Sequence, residues 1–117
     1  MPRTVLIVDD HEPFRERARA LLEGDGFEVV GEADGGDSAV DAVRRLRPEV
    51  VLLDVRLPGA DGFAVAERLA AESDAPAVVL ISSRAADTYR RRLHVSPVRG
   101  FIAKAELSGE CLASLLS

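Results

Sequence analysis

Val50-Val51-Leu52-Leu53-Asp54 is a run of four apolar residues closed by a carboxylate, and the same device recurs along the chain. Val5-Leu6-Ile7-Val8 runs into Asp9-Asp10, Val78-Val79-Leu80-Ile81 into Ser82, and Phe101-Ile102-Ala103 into Lys104. Short runs of this kind, rich in β-branched residues and without polar alternation, are the signature of strands covered on both faces. Amphipathic stretches of about ten residues separate them, which predicts repeated βα units. The expected fold is therefore α/β, a single doubly wound five-stranded parallel sheet flanked by five helices. Its strands are expected over Thr4–Asp9, Phe27–Glu32, Val50–Asp54, Ala77–Ser82 and Gly100–Lys104, the second being the most polar and hence an edge. Parallel strands set side by side bring Asp9, Asp10, Asp54, Ser82 and Lys104 to one end of the sheet, where open α/β folds bind ligands.

Helix signals fall between the strands. Pro13 suits a first helical turn, and Phe14, Ala18, Leu21 and Leu22 repeat at helical spacing until Gly24. Asp37 or Ser38 is expected to cap the second helix, because Ser38-Ala39-Val40-Asp41 has the spacing of a capping box, with Ala39, Val43 and Leu46 on one face and Pro48 as the stop. A third helix begins near Gly62 and buries Phe63, Ala66, Leu69 and Ala70. The fourth, Asp87 to His94, carries Arg90-Arg91-Arg92 and only Tyr89 and Leu93 as an apolar pair, so its arginines read as a solvated face. The fifth runs from about Ser108 to Leu116. No internal repeat or linker interrupts this pattern.

With 117 residues and 47% hydrophobic content, the chain is sized for one compact domain, residues 1–117. A net charge of -5 argues against a surface built to neutralise nucleic acid. The lone Cys111 excludes an internal disulfide, and its spacing with Leu107, Leu112, Leu115 and Leu116 reads as packing. Neither a secretory leader nor a bilayer-length apolar stretch occurs, so a cytoplasmic location without membrane contact is expected.

Three carboxylates gathered at strand ends repel one another. At ~5 Å and an effective dielectric of ~20, each pair costs roughly 3 kcal/mol. Such a cluster calls for a divalent cation, and an all-oxygen donor set suits Mg²⁺ better than a transition metal. His11, which opens the loop to the first helix, reads as an exposed or capping residue. With a cation bound, an aspartate can attack a phosphoryl donor while a lysine ammonium pairs with a phosphoryl oxygen. Asp54 and Lys104 fit those roles, and the Ser82 hydroxyl can donate to another phosphoryl oxygen.

In these motifs the chain resembles the receiver domain of two-component response regulators, the CheY-like, flavodoxin-like fold. The resemblance rests on Ile7-Val8-Asp9-Asp10, on Leu53-Asp54-Val55-Arg56-Leu57-Pro58-Gly59-Ala60-Asp61-Gly62-Phe63, on Ile81-Ser82-Ser83 and on Gly100-Phe101-Ile102-Ala103-Lys104, and it covers essentially the whole chain. It implies strand order 2-1-3-4-5 and Asp54 as the phosphoacceptor of a sensor histidine kinase. It also implies Asp10, Asp54 and the carbonyl of Arg56 as Mg²⁺ ligands, with Asp9 acting through water, and Ser82 with Phe101 as a switch pair. Arg56 and Arg84 stand where the family tunes phosphoryl lifetime. Asp9-Asp10-His11-Glu12-Pro13-Phe14-Arg15 is similar to regulators of the NarL/FixJ type, whose receivers usually precede a DNA-binding domain. Ser117 ends the sequence at the fifth helix, which reads as a stand-alone or an excised receiver, with a homodimer on activation as one outcome. Ala105, Ser83, Arg56 and Pro97 depart from the commonest family pattern. Of these, Ala105 removes the lysine-proline pair that favours a cis peptide, since a cis bond without proline costs ~3 kcal/mol.

Two other readings compete. A Mg²⁺-dependent phosphatase with an aspartyl nucleophile would place nucleophile and acid/base two residues apart after the first strand, whereas Asp9 and Asp10 are adjacent. A flavodoxin-like or receiver-like module that takes no phosphate would not need every phosphoryl-handling position filled; a flavin binder would also offer a hydroxyl- and glycine-rich loop where this chain has Asp10-His11-Glu12.

Overall fold

The computed structural model describes residues 2–117. In chain order it contains β1 (Thr4–Val8), α1 (Glu12–Gly24), β2 (Glu28–Ala33), α2 (Gly36–Leu46), β3 (Val50–Asp54), α3 (Gly62–Ala70), β4 (Ala77–Ser82), α4 (Arg90–Val95), β5 (Gly100–Ala103) and α5 (Gly109–Leu116). The five strands form one parallel sheet in the order β2-β1-β3-β4-β5, the order expected, with polar β2 at an edge.

Because successive strand residues face opposite sides, each apolar run feeds two cores. Leu6, Val8, Val51, Leu53, Val78 and Leu80 pack with Ala39 and Val43 of α2 and Phe63, Ala66 and Leu69 of α3. Val5, Ile7, Val50, Leu52, Val79 and Ile81 pack on the other side with Phe14, Ala18 and Leu22 of α1 and Leu112 and Leu116 of α5. Val5 to Val8 and Val51 to Leu53 have no solvent exposure, which is why these runs lack polar residues. At ~1.5–3 kcal/mol for each large apolar side chain buried, they dominate the stability. Among the described residues no helix is long and apolar enough to cross a membrane.

Besides a one-residue shift of β2 and an Ala70 that is exposed where burial was expected, the structure departs from expectation in four places, each with a local cause. Strand β1 ends at Val8 and β5 at Ala103, so Asp9 lies just past its strand and Lys104 opens a 3-10 turn, Lys104–Glu106. Neither Asp37 nor Ser38 is the N-cap of α2. Gly35 holds that position, and Ser38, three residues on, accepts from the Gly35 N–H through its hydroxyl at 3.1 Å. The fourth helix is split into a 3-10 turn, Ala86–Tyr89, and the short α4, as a segment with one apolar pair can bury little of itself. Arg56–Leu57 and Ala60–Asp61 form an unforeseen two-residue antiparallel ribbon, its turn closed by Gly59 at φ +65. No cis peptide bond occurs among the described residues.

Candidate phosphoacceptor site

Strand register assembles the site. Val8 lies level with Leu53, Asp54 with Ile81, and Ser82 with Ala103. Asp9, Asp54, Ser82 and Lys104 therefore stand in a row at the C-terminal edge of the sheet. Between β1 and β3 the chain leaves in opposite directions, which opens the crevice where doubly wound sheets take ligands.

Asp9 is fully buried at 0% exposure and Asp54 nearly so at 5%. The Lys104 Nζ lies 2.5 Å from Asp9 Oδ2 and 3.3 Å from Asp54 Oδ2, so one ammonium serves two carboxylates. The backbone N–H of His11 donates to Asp9 Oδ1 at 2.8 Å, and that of Arg56 to Asp54 Oδ1 at 3.3 Å. Asp10 sits at the exposed rim. His11 is the N-cap of α1 by position but makes no side-chain cap; its ring is 67% exposed, with Nδ1 3.2 Å from both Asp9 Oδ1 and Asp10 Oδ1. Ligating atoms of Asp9, Asp10, His11 and Asp54 all lie within 4.8 Å of one another.

Burial, and after it the neighbouring Asp9 charge, raises the pKa of Asp54 above the ordinary carboxylate value; Lys104 and the Arg56 N–H oppose the shift without cancelling it. Asp9 Oδ2 has its ion pair with Lys104 but no aligned hydrogen bond. The pocket is thus short of positive charge and holds a buried oxygen with spare acceptor capacity. Carboxylates in that state fit a hard cation with oxygen preference.

The cleft above these groups has a volume of about 420 Å³ and is lined by Asp10, Asp54, Arg56, Ser82, Arg84 and Lys104, among others. Both arginines expected near the pocket therefore border it. Phe101 does not reach it; its ring packs against Tyr89 with centroids 5.9 Å apart.

Two participants were not found from the sequence. Arg15 donates from Nη1 to the Asp9 carbonyl at 2.6 Å and from Nε to Glu32 at 2.8 Å, with Arg19 adding a 2.9 Å bond to the same carboxylate. Burial pushes the Glu32 pKa up, but the bonds from Arg19 and Arg15 outweigh it and the net shift is downward. The spacing of Arg15 and Arg19 was a signal that both face one way. Tyr89, the second, places its hydroxyl 3.3 Å from Ser82 Oγ, and only its pairing with Leu93 hinted that it turns inward.

The family model for the response regulator receiver domain matches residues 5–115. The chain belongs to this family. It is 36% identical over 106 residues to BvgA of Bordetella pertussis, covering 91% of this chain and 51% of that one. To the response regulator GacA of Pseudomonas viridiflava it is 36% identical over 101 residues, covering 86% and 47%. The receiver thus spans about half the length of these curated relatives. The signal receiver domain of NarL from Mycobacterium tuberculosis superposes with a TM-score of 0.82 at 33% identity, over 99% of this chain and 98% of that one. A LuxR-family two-component response regulator from Aurantimonas gives a TM-score of 0.87 at 25% identity, over 99% and 86%. Phospho-accepting signalling is the family's role.

Proposed function

We propose that residues 1–117 form one receiver in which Asp54 accepts a phosphoryl group from a sensor histidine kinase. A carboxylate oxygen of Asp54 attacks phosphorus and forms the new P–O bond. The bond to the donor breaks, P–N for a phosphohistidine or P–O for acetyl phosphate, and its electron pair leaves with the imidazole or acetate. Lys104 pairs with one phosphoryl oxygen, and Ser82 donates to another. Asp9, Asp10, Asp54 and the carbonyl of Arg56 would hold Mg²⁺. Bound there, the ion supplies the positive charge that lets an anionic donor approach an anionic nucleophile. The observation that carries this reading is the single ammonium held within ion-pair reach of both Asp9 and Asp54.

Phosphorylation adds up to about two negative charges and three acceptor oxygens. One charge-assisted bond from Ser82 is worth ~1.5–3 kcal/mol, while inverting a 1:99 equilibrium takes about 5.5 kcal/mol. Lys104, the cation and a partner that prefers the active form must supply the rest. The surface that responds is β5 with Phe101 and its flanking helices α4 and α5, offered to an output domain, DNA-binding in NarL/FixJ-type regulators, or to a second copy. The reading places the domain in the cytoplasm.

Incubation with acetyl phosphate and Mg²⁺, followed by intact mass, is expected to add one phosphoryl group per wild-type chain and none to Asp54→Asn. Sustained turnover of a generic phosphate ester would instead favour the phosphatase reading. Arg56→Ala and Arg84→Ala are each expected to shorten the phosphoryl half-life about two- to fivefold, the scale of an exposed charge interaction, measured as loss of label after donor removal.

A further inference from the structure

Ser82 and Phe101, the two switch residues of the proposed function, are joined through a third side chain. Tyr89 is 7% exposed, its hydroxyl is 3.3 Å from Ser82 Oγ, and its ring lies 5.9 Å from Phe101 on one side and 5.9 Å from Phe63 on the other. Ser82 Oγ also accepts from the backbone N–H of Arg84 at 3.0 Å, so a buried serine oxygen is already engaged from two directions before any phosphate arrives. We propose that Tyr89 is a positioning residue that holds the Ser82 hydroxyl in its resting direction and couples its release to Phe101 and α4. The inference rests on the phosphoacceptor reading of Asp54.

A serine hydroxyl has one proton to donate. Either hydroxyl can be the donor in the bond to Tyr89, and in either direction a Ser82 Oγ that rotates toward a phosphoryl oxygen on Asp54 leaves the phenol. The phenol, enclosed between two rings, then loses its partner, and a buried hydroxyl without one is costly enough to force a rearrangement. Tyr89 ends the 3-10 turn that leads directly into α4. Its movement is therefore movement of the helix that carries Arg90 and Arg91 to the surface. Leu93 packs against the same core, and Arg92 pairs with Asp61 at 2.5 Å and lies 4.1 Å from the centre of the Phe63 ring. That ion pair is exposed, and exposed pairs contribute little, so the buried phenol is the polar attachment whose loss matters.

The chain has one tyrosine and no tryptophan, so its near-ultraviolet absorption reports on Tyr89 without interference from another indole or phenol. Wild type, Tyr89→Phe, Ser82→Ala and the double variant are incubated with limiting acetyl phosphate and Mg²⁺ and followed by intact mass. Tyr89→Phe keeps the ring and removes the competing hydroxyl. It is expected to raise the ratio of labelled to unlabelled protein about two- to tenfold, the equilibrium value of one neutral hydrogen bond, and to have no effect in the Ser82→Ala background. Labelling is expected to shift the tyrosine difference spectrum of wild type and to leave that of Ser82→Ala unchanged. A lowered ratio in Tyr89→Phe, an equal effect in both backgrounds, or labelled wild type with an unmoved tyrosine spectrum overturns the coupling while leaving Asp54 as acceptor. Wild type that takes no label overturns both.

Discussion

Lys104→Met is expected to lower stability by about 3–5 kcal/mol near neutral pH without divalent cations, the cost of stripping its partner from a buried charge. The Lys104 side chain is 16% exposed, and its ammonium serves two carboxylates that have almost no access to water. Methionine keeps the aliphatic stem in place, so the loss isolates the charge and the 4.6 Å contact of Nζ with the Phe14 ring. The deficit depends on pH in a direction that follows from Asp54. Its pKa is already raised, chiefly by burial and then by Asp9, and Lys104 is one of the groups holding it down. Without the ammonium it rises further. A carboxyl with a folded-state pKa above its unfolded value binds more protons when folded, so stability falls as pH climbs from the unfolded value toward the folded one. The deficit of Lys104→Met should therefore shrink on acidification toward about pH 4, the ordinary value for aspartate. Excess Mg²⁺ should recover part of it near neutrality, because an ion that binds only the folded state stabilises that state. Urea unfolding near pH 7 and near pH 5, each with and without MgCl₂, measures all three effects. A deficit indifferent to pH and magnesium would show that Lys104 matters for packing and not for charge.

The readable part of this protein is the part governed by periodicity and composition. Val5 to Val8 and Val50 to Leu53 could only be two-sided strands, because nothing polar interrupts them. Once they are parallel, the register that buries them leaves Asp9 and Asp54 nowhere to go but the same sheet edge. The legible site residues are side chains at strand ends. What escaped are interactions whose partner is a backbone atom or a residue brought in by a chain reversal. Arg15 recognises the carbonyl of Asp9, and a carbonyl has no residue identity to read. Gly35 was not seen as the cap of α2 because its N–H, not a side chain, meets Ser38. Tyr89 belongs to a segment whose three arginines mask its pattern, and its inward turn depends on space between Phe63 and Phe101 that only the assembled fold defines.

Gly62→Ala is expected to cost about 3 kcal/mol or more and to reduce labelling of Asp54 in the protein that remains folded. Gly62 opens α3, directly after Asp61, whose carboxylate accepts from the Phe63 N–H at 2.8 Å as the N-cap. The Gly62 N–H donates to the Val55 carbonyl at 2.7 Å, which draws the first turn of the helix against the end of β3. A Cβ at this position would stand 2.3 Å from the carbonyl oxygen of Asp54 and 2.7 Å from the Cα of Val55. Both are backbone atoms that no rotamer change can move. Overpacking costs ~1–3 kcal/mol where side chains can yield, and more where the main chain itself must shift. Gly59→Ala provides the contrast: it has open space around it but a φ of +65, so its cost is conformational strain alone, about 1 kcal/mol. The two variants separate stability from alignment. Shifting α3 outward moves the strand end that bears the Asp54 carboxylate, and a nucleophile misplaced by a fraction of an ångström loses rate even in a folded protein. Urea midpoints and initial labelling rates with acetyl phosphate measure the two consequences. If Gly62→Ala matched Gly59→Ala in both, the close approach of α3 would have no part in aiming Asp54.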